Sequence, residues 1–177
     1  IIKYPASTNN NAGGGVYLKG GSLTIQNFNE NDTVISDNIS GYGGGVCIFG
    51  GNFTMNGGAI SGCTAKNGLG GGVYVEKGTF NMNDGAVISS DNDVYLADGT
   101  TITVTGNLTS TDTVATITPS EYKSGQQVLE PGNGVIFTDK IVNRFLVTPE
   151  NSNEWYVTVD GKLQEMEKDA NGYLGRE

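Results

Sequence analysis

The segment Gly-Gly-Gly-Val occurs three times, at 13–16, 43–46 and 70–73, and each copy opens the same alternation of apolar and polar residues. The three valines, Val16, Val46 and Val73, lie 30 and 27 residues apart, and a weaker unit with Val94-Tyr95-Leu96 begins 21 residues after the last of them. Self-similarity at this spacing marks a solenoid, in which a unit cannot bury its apolar face alone and does so only against its neighbours.

Each unit carries short runs of period two. In the second they are Val46-Cys47-Ile48, Phe53-Thr54-Met55 and Ala59-Ile60-Ser61. Runs this short do not make helices, and their alternation is that of strands with one buried face. The same places hold Val16-Tyr17-Leu18, Leu23-Thr24-Ile25 and Val34-Ile35-Ser36 in the first unit. In the third they hold Val73-Tyr74-Val75, Phe80-Asn81-Met82 and Val87-Ile88-Ser89. The predicted fold is all-β: a single-stranded parallel β-helix, right-handed by the usual hand of parallel connections, with three strands per coil. Val16, Val46, Val73, Phe53 and Phe80 are the structural residues of its interior. Gly13, Gly43 and Gly70 serve its corners, and Asn56 and Asn83 end equivalent strands where an amide can bond nearby backbone.

The pattern divides the chain into parallel coils over 1–118, longer terminal coils or a cap over 119–163, and a tail or linker over 164–177. Residues 1–11 read as a truncated earlier coil, which makes the chain a piece of something longer. Insertions relative to a 21-residue step collect at 28–33 and 64–69 and are expected to form edge loops. Beyond Leu108 further strands are expected at 114–117, 127–129, 135–137, 145–147 and 155–159, with Phe145 and Trp155 covering the open end of the stack. A short helix is expected over 163–169.

Composition narrows the function. The chain has 177 residues, 28 of them Gly, only 36% apolar residues and a formal charge of −9, so it suits a thin elongated core and offers no cationic patch for nucleic acid. No apolar run is long enough for a membrane helix, so this fragment is not expected to be membrane-embedded. The absence of His removes Ser-His-Asp and Cys-His nucleophile systems and imidazole zinc ligands, and no cofactor is implied. Cys47 and Cys63 lack metal-knuckle spacing; they lie 16 residues apart, and the reading is two free or partly buried thiols, with one disulfide as the alternative. The triple glycine has no following Lys-Ser/Thr and no helix, which sets it apart from a phosphate loop.

Three candidate sites remain. Tyr17, Tyr74 and Tyr95 share the outer face of one predicted sheet and are the candidate ligand-binding ladder, since aromatic faces stack on sugar rings or peptide side chains; the alternative is that they serve strand pairing. Asp91, Asp93 and Asp98 form the candidate metal cluster for calcium, against the alternative of a solvated acidic edge. Asp91 and Asp93 are also the candidates for a carboxylate pair, should the helix cleave polysaccharide as a glycoside hydrolase or lyase. Close copying of the central coils argues instead for no catalytic residues.

The units resemble the glycine-rich β-helix repeats of large bacterial surface proteins, whose form is close to GGGVYV, GTFTMNGG and ISGN. Gly57-Gly58-Ala59-Ile60 and the two FxxN segments, 53–56 and 80–83, are similar to repeats of the chlamydial polymorphic membrane proteins. The resemblance covers roughly residues 13–92 and has one intact GGAI motif. It implies a pectate-lyase-like β-helix that is secreted, stands at the cell surface as part of a longer protein, and works in adhesion or as a display stalk. A host or microbial glycan or surface protein is its expected partner. A carbohydrate-binding or polysaccharide-degrading module is the alternative.

Overall fold

The computed structural model describes residues 12–27, 33–168 and 174–175. The expected partial coil at 1–11 and most of the expected loop at 28–33 lie outside them.

The first coil contains β1 (Val16–Leu18), β2 (Ser22–Gln26), β3 (Val34–Ser36) and β4 (Ile39–Ser40). The second repeats this order as β5 (Val46–Ile48), β6 (Asn52–Asn56), β7 (Ala59–Ser61) and β8 (Thr64–Ala65). In the third are β9 (Val73–Val75), β10 (Thr79–Asp84) and β11 (Val87–Ile88), and in the fourth β12 (Asp93–Leu96) and β13 (Ile102–Leu108). Then come β14 (Ala115–Pro119), β15 (Leu129–Pro131), a one-turn helix α1 (Asp139–Val142) and β16 (Phe145–Val147). The chain closes on β17 (Trp155–Val157), β18 (Leu163–Glu165), β19 (Glu167–Lys168) and β20 (Leu174–Gly175).

Equivalent strands stack in parallel into a β-solenoid of about five turns. The first sheet runs β1-β5-β9-β12-β14-β16, the second β2-β6-β10-β13-β15 and the third β3-β7-β11, while β4 and β8 pair at a corner. Six strands about 4.8 Å apart give the first sheet a rise of about 24 Å. The register is that of the repeats: Val16 pairs with Val46 and Val46 with Val73, and Phe53 lies between Leu23 and Phe80. Phe53 and Phe80 are fully buried and stack at 5.5 Å, so alternation along the strand and repetition between coils together generate one continuous apolar column.

Corners explain the glycines. Gly43 has φ +57°, and a Cβ there would lie 2.3 Å from the carbonyl oxygen of Val46; Gly13 and Gly70 repeat this with φ +72° and +65°. At the next corner the chain places Asn38, Cys63 and Asn92 in successive coils. Asn92 donates its amide to the Cys63 carbonyl at 2.7 Å and accepts from the Cys63 N–H at 3.1 Å, copying a peptide group. The residue equivalent to Asn38 is thus Asn92, because Ser90 inserts one position and carries Asp91 outward. Asn56 and Asn83 hold paired register positions.

Several local readings are corrected. Residues 64–65 form β8 rather than a loop, since their backbone finds β4 beside it and the hydrogen bonds continue through Lys66 and Asn67 to Ser40 and Gly41. Residues 135–137 form no strand: the turn at 132–134 turns the chain outward and leaves Ile136 80% exposed. The expected helix over 163–169 is replaced by β18 and β19, because β17 offers Leu163 an antiparallel partner in Val157. Over 119–163, where longer terminal coils or a cap are expected, parallel stacking continues through β15 and β16 before the β17–β18 hairpin covers the end. Phe145, Trp155 and Leu163 are buried there, as a terminal cover requires.

Candidate functional site

The outer face of the first sheet brings Tyr17, Cys47, Tyr74 and Tyr95 into one row, each the direct partner of the next. Thr118 follows Tyr95, and Thr148 beyond it donates to the Thr118 hydroxyl at 3.2 Å. Tyr122 bonds Thr148 through their hydroxyls and packs on Trp155 at 5.8 Å, joining the row to the cap.

The rings are not equally available. Tyr74 and Tyr95 lie parallel, with centroids 5.0 Å apart and planes within 6°, and Tyr42 leans on Tyr74 at 5.4 Å. Cys47 is fully buried although its strand position faces outward, and Tyr42, from the preceding corner, packs on Tyr74 next to it in the row. Tyr74 thus has two aromatic neighbours, Tyr42 and Tyr95. Tyr17 differs. It is 49% exposed and packs against Phe49, 44% exposed, at 6.2 Å. Tyr17 and Phe49 are the accessible aromatic pair of this face.

Electrostatics reinforce the division. Tyr74 donates its hydroxyl to Glu76 Oε2 at 2.6 Å, and burial, followed by this bond and the Glu76 charge, holds its phenol well above its ordinary range. Burial first and Glu76 second push the Cys47 thiol up to about 12, so the thiolate needed for nucleophilic chemistry is strongly disfavoured. Burial likewise raises Cys63, which sits in the asparagine column beside Asn38. Both cysteines are free.

The acidic residues are dispersed among backbone partners. Asp91 accepts from the Gly62 N–H at 3.1 Å and from the Ser89 hydroxyl, and Asp93 accepts from the Gly71 N–H at 2.5 Å. Asp98 lies exposed in the turn before β13. Among the described residues no three His, Cys, Asp or Glu side chains converge on a common point that would hold a metal ion. The first two aspartates act as corner caps, tying each coil to the one before it.

No protein-family model, curated protein or solved structure matches the chain. Among the described residues no helix is long and apolar enough to cross a membrane.

Sequence reasoning placed Tyr17, Tyr74 and Tyr95 in one row and missed Tyr42, Phe49 and Glu76. Cys47 was the usable signal: a small residue in an aromatic column implies a neighbour that fills the gap. The second sheet's outer face also carries side-chain ladders that were not foreseen, from Thr79 to Asn52 at 2.7 Å and from Asn81 to Thr54 at 3.1 Å.

Proposed function

We propose that this solenoid is a non-catalytic, exported surface domain of bacterial type that works in adhesion or as a display stalk. The observation that carries the reading is the unbroken register of the first sheet, which fixes one long outer face at constant spacing and leaves an aromatic pair accessible on it. Side-chain ladders and corner caps lend such a rod stiffness along its axis. A purified chain tested on glycan and matrix-protein arrays is expected to bind a restricted set of partners, with Tyr17→Ala and Phe49→Ala each lowering binding at least about five-fold. Retention of binding in both variants would remove the aromatic pair from the reading.

The exposed Tyr17 and Phe49 pair also favours a second reading, a carbohydrate-binding module, because adjoining exposed rings offer apolar surface to a sugar. Binding confined to glycans selects it over protein adhesion. Reducing-end and unsaturated-product assays on acidic polysaccharides test the degrading alternative; turnover that Asp91→Asn abolishes would overturn the non-catalytic reading.

A further inference from the structure

We infer that the corner pocket beside Arg144 is a binding site for an acidic sugar, one bearing a carboxylate or sulfate group. The site is separate from the aromatic row and does not depend on it.

Arg144 immediately precedes β16, in line with Val114 before β14. Ile88 donates its N–H to the Val114 carbonyl, and Val114 donates to the Arg144 carbonyl, both at 2.8 Å. At this last step the chain carries a cation, Arg144. Its side chain reaches back one coil and donates from Nη1 to the Leu108 carbonyl at 2.6 Å. Arg144 is only 8% exposed, and among the described residues no carboxylate lies within ion-pair distance of it.

A guanidinium has five N–H donors and cannot escape its charge by losing a proton. Removing such a charge from water without an acidic partner is unfavourable, and one neutral carbonyl offsets little of the loss. The described residues supply no counter-ion within ion-pair distance, and the local shape leaves room for an external one. Arg144 lines an open pocket of about 410 Å³ together with Thr111, Asp112, Thr113, Lys140 and Asn143. This volume lies within the range of small-ligand sites.

The walls select among anions. Lys140 adds a second positive charge, and the two cations outnumber the single acid, Asp112. Thr111, Thr113, Asn143 and Asp112 supply hydroxyl, amide and carboxylate groups, the partners that sugar hydroxyls use. An oxyanion would take the Arg144 fork in a bidentate arrangement while the ring hydroxyls meet the rim.

The test titrates the protein at low salt with glucuronate, glucose 6-sulfate, glucose and inorganic sulfate, following amide shifts by NMR. At least one sugar acid is expected to saturate with shifts at 111–113 and 143, to bind at least about ten-fold tighter than glucose or inorganic sulfate, and to weaken as salt rises. Preference for glucuronate identifies the anion as carboxylate, and preference for glucose 6-sulfate identifies it as sulfate. Arg144→Gln is expected to lose binding about ten-fold or more. Lys140→Gln, whose parent side chain is exposed, preserves the fold and is expected to weaken binding about three-fold with a shallower salt dependence. Tyr17→Ala leaves this binding unchanged, which separates the site from the aromatic reading. Binding of glucose or inorganic sulfate as tight as that of the acids, saturation by none of them, or unchanged affinity in folded Lys140→Gln would overturn the inference.

Discussion

At the residue scale, the same amino acid serves different physical demands, and substitution tells them apart. Gly43 and Gly99 both have positive φ, +57° and +71°, but a Cβ at Gly43 would meet the Val46 carbonyl at 2.3 Å, while at Gly99 it would meet open space. Gly99→Ala is expected to lose about 1 kcal/mol, the backbone cost of the left-handed conformation. Gly43→Ala adds the steric clash and is expected to lose about 2 kcal/mol or more, read as a larger fall in the urea midpoint. Cys47 makes a second test, through pH. Its folded pKa of about 12 stands above the ordinary thiol value of 9.0, so the folded state holds a proton that the unfolded chain releases first. Its contribution to stability is therefore complete below about pH 9 and is lost as pH rises through 12. Thiol-reagent labelling at pH 8 should leave Cys47 unmodified in the folded protein and modify it rapidly in urea; fast native labelling would show that the aromatic row does not close over it.

At the element scale, strands respond according to how many coils adjoin them. Phe53 lies between Leu23 and Phe80 and is fully buried, whereas Leu23 in the first coil remains partly exposed. Phe53→Ala is expected to destabilise by about 3–5 kcal/mol, and Leu23→Ala by less than about 2 kcal/mol, in denaturant titrations. Equal losses would mean that burial is uniform along the stack. The strands of the first three coils were legible in the sequence because period two and the coil repeat constrain them twice: Phe53 and Phe80 had to share a face and a column. Past Leu108 only the alternation remained. Val135-Ile136-Phe137 alternates as well as a true strand but has no register partner, while Leu163 reads as helix from sequence because nothing in its own neighbourhood reveals Val157 across the hairpin. The aromatic row was legible for the same reason as the core, being one more column of the repeat. The pocket beside Arg144 was not, since it depends on where an irregular segment returns to the stack.

At the scale of the whole molecule, the described stack has two unlike ends. Val16, Leu18 and Leu23 of the first coil stay partly exposed, whereas Phe145, Trp155 and Leu163 bury the far end under an antiparallel hairpin. Antiparallel pairing suits that task, because β18 pairs with β17 and the hairpin does not continue the parallel register of the coils. In a quasi-one-dimensional array, stability is a sum of coil and interface contributions, so damage at one end is felt most by the coils beside it. Trp155→Ala is expected to remove about 3–5 kcal/mol and expose apolar surface to a dye such as ANS. Native-state hydrogen exchange should then accelerate strongly in β14 and β16, next to the cap, and least in β5 and β6, which lie several coils away. Acceleration of the same size in all strands would show that the solenoid opens as one cooperative unit, with its coils too strongly coupled to fray singly.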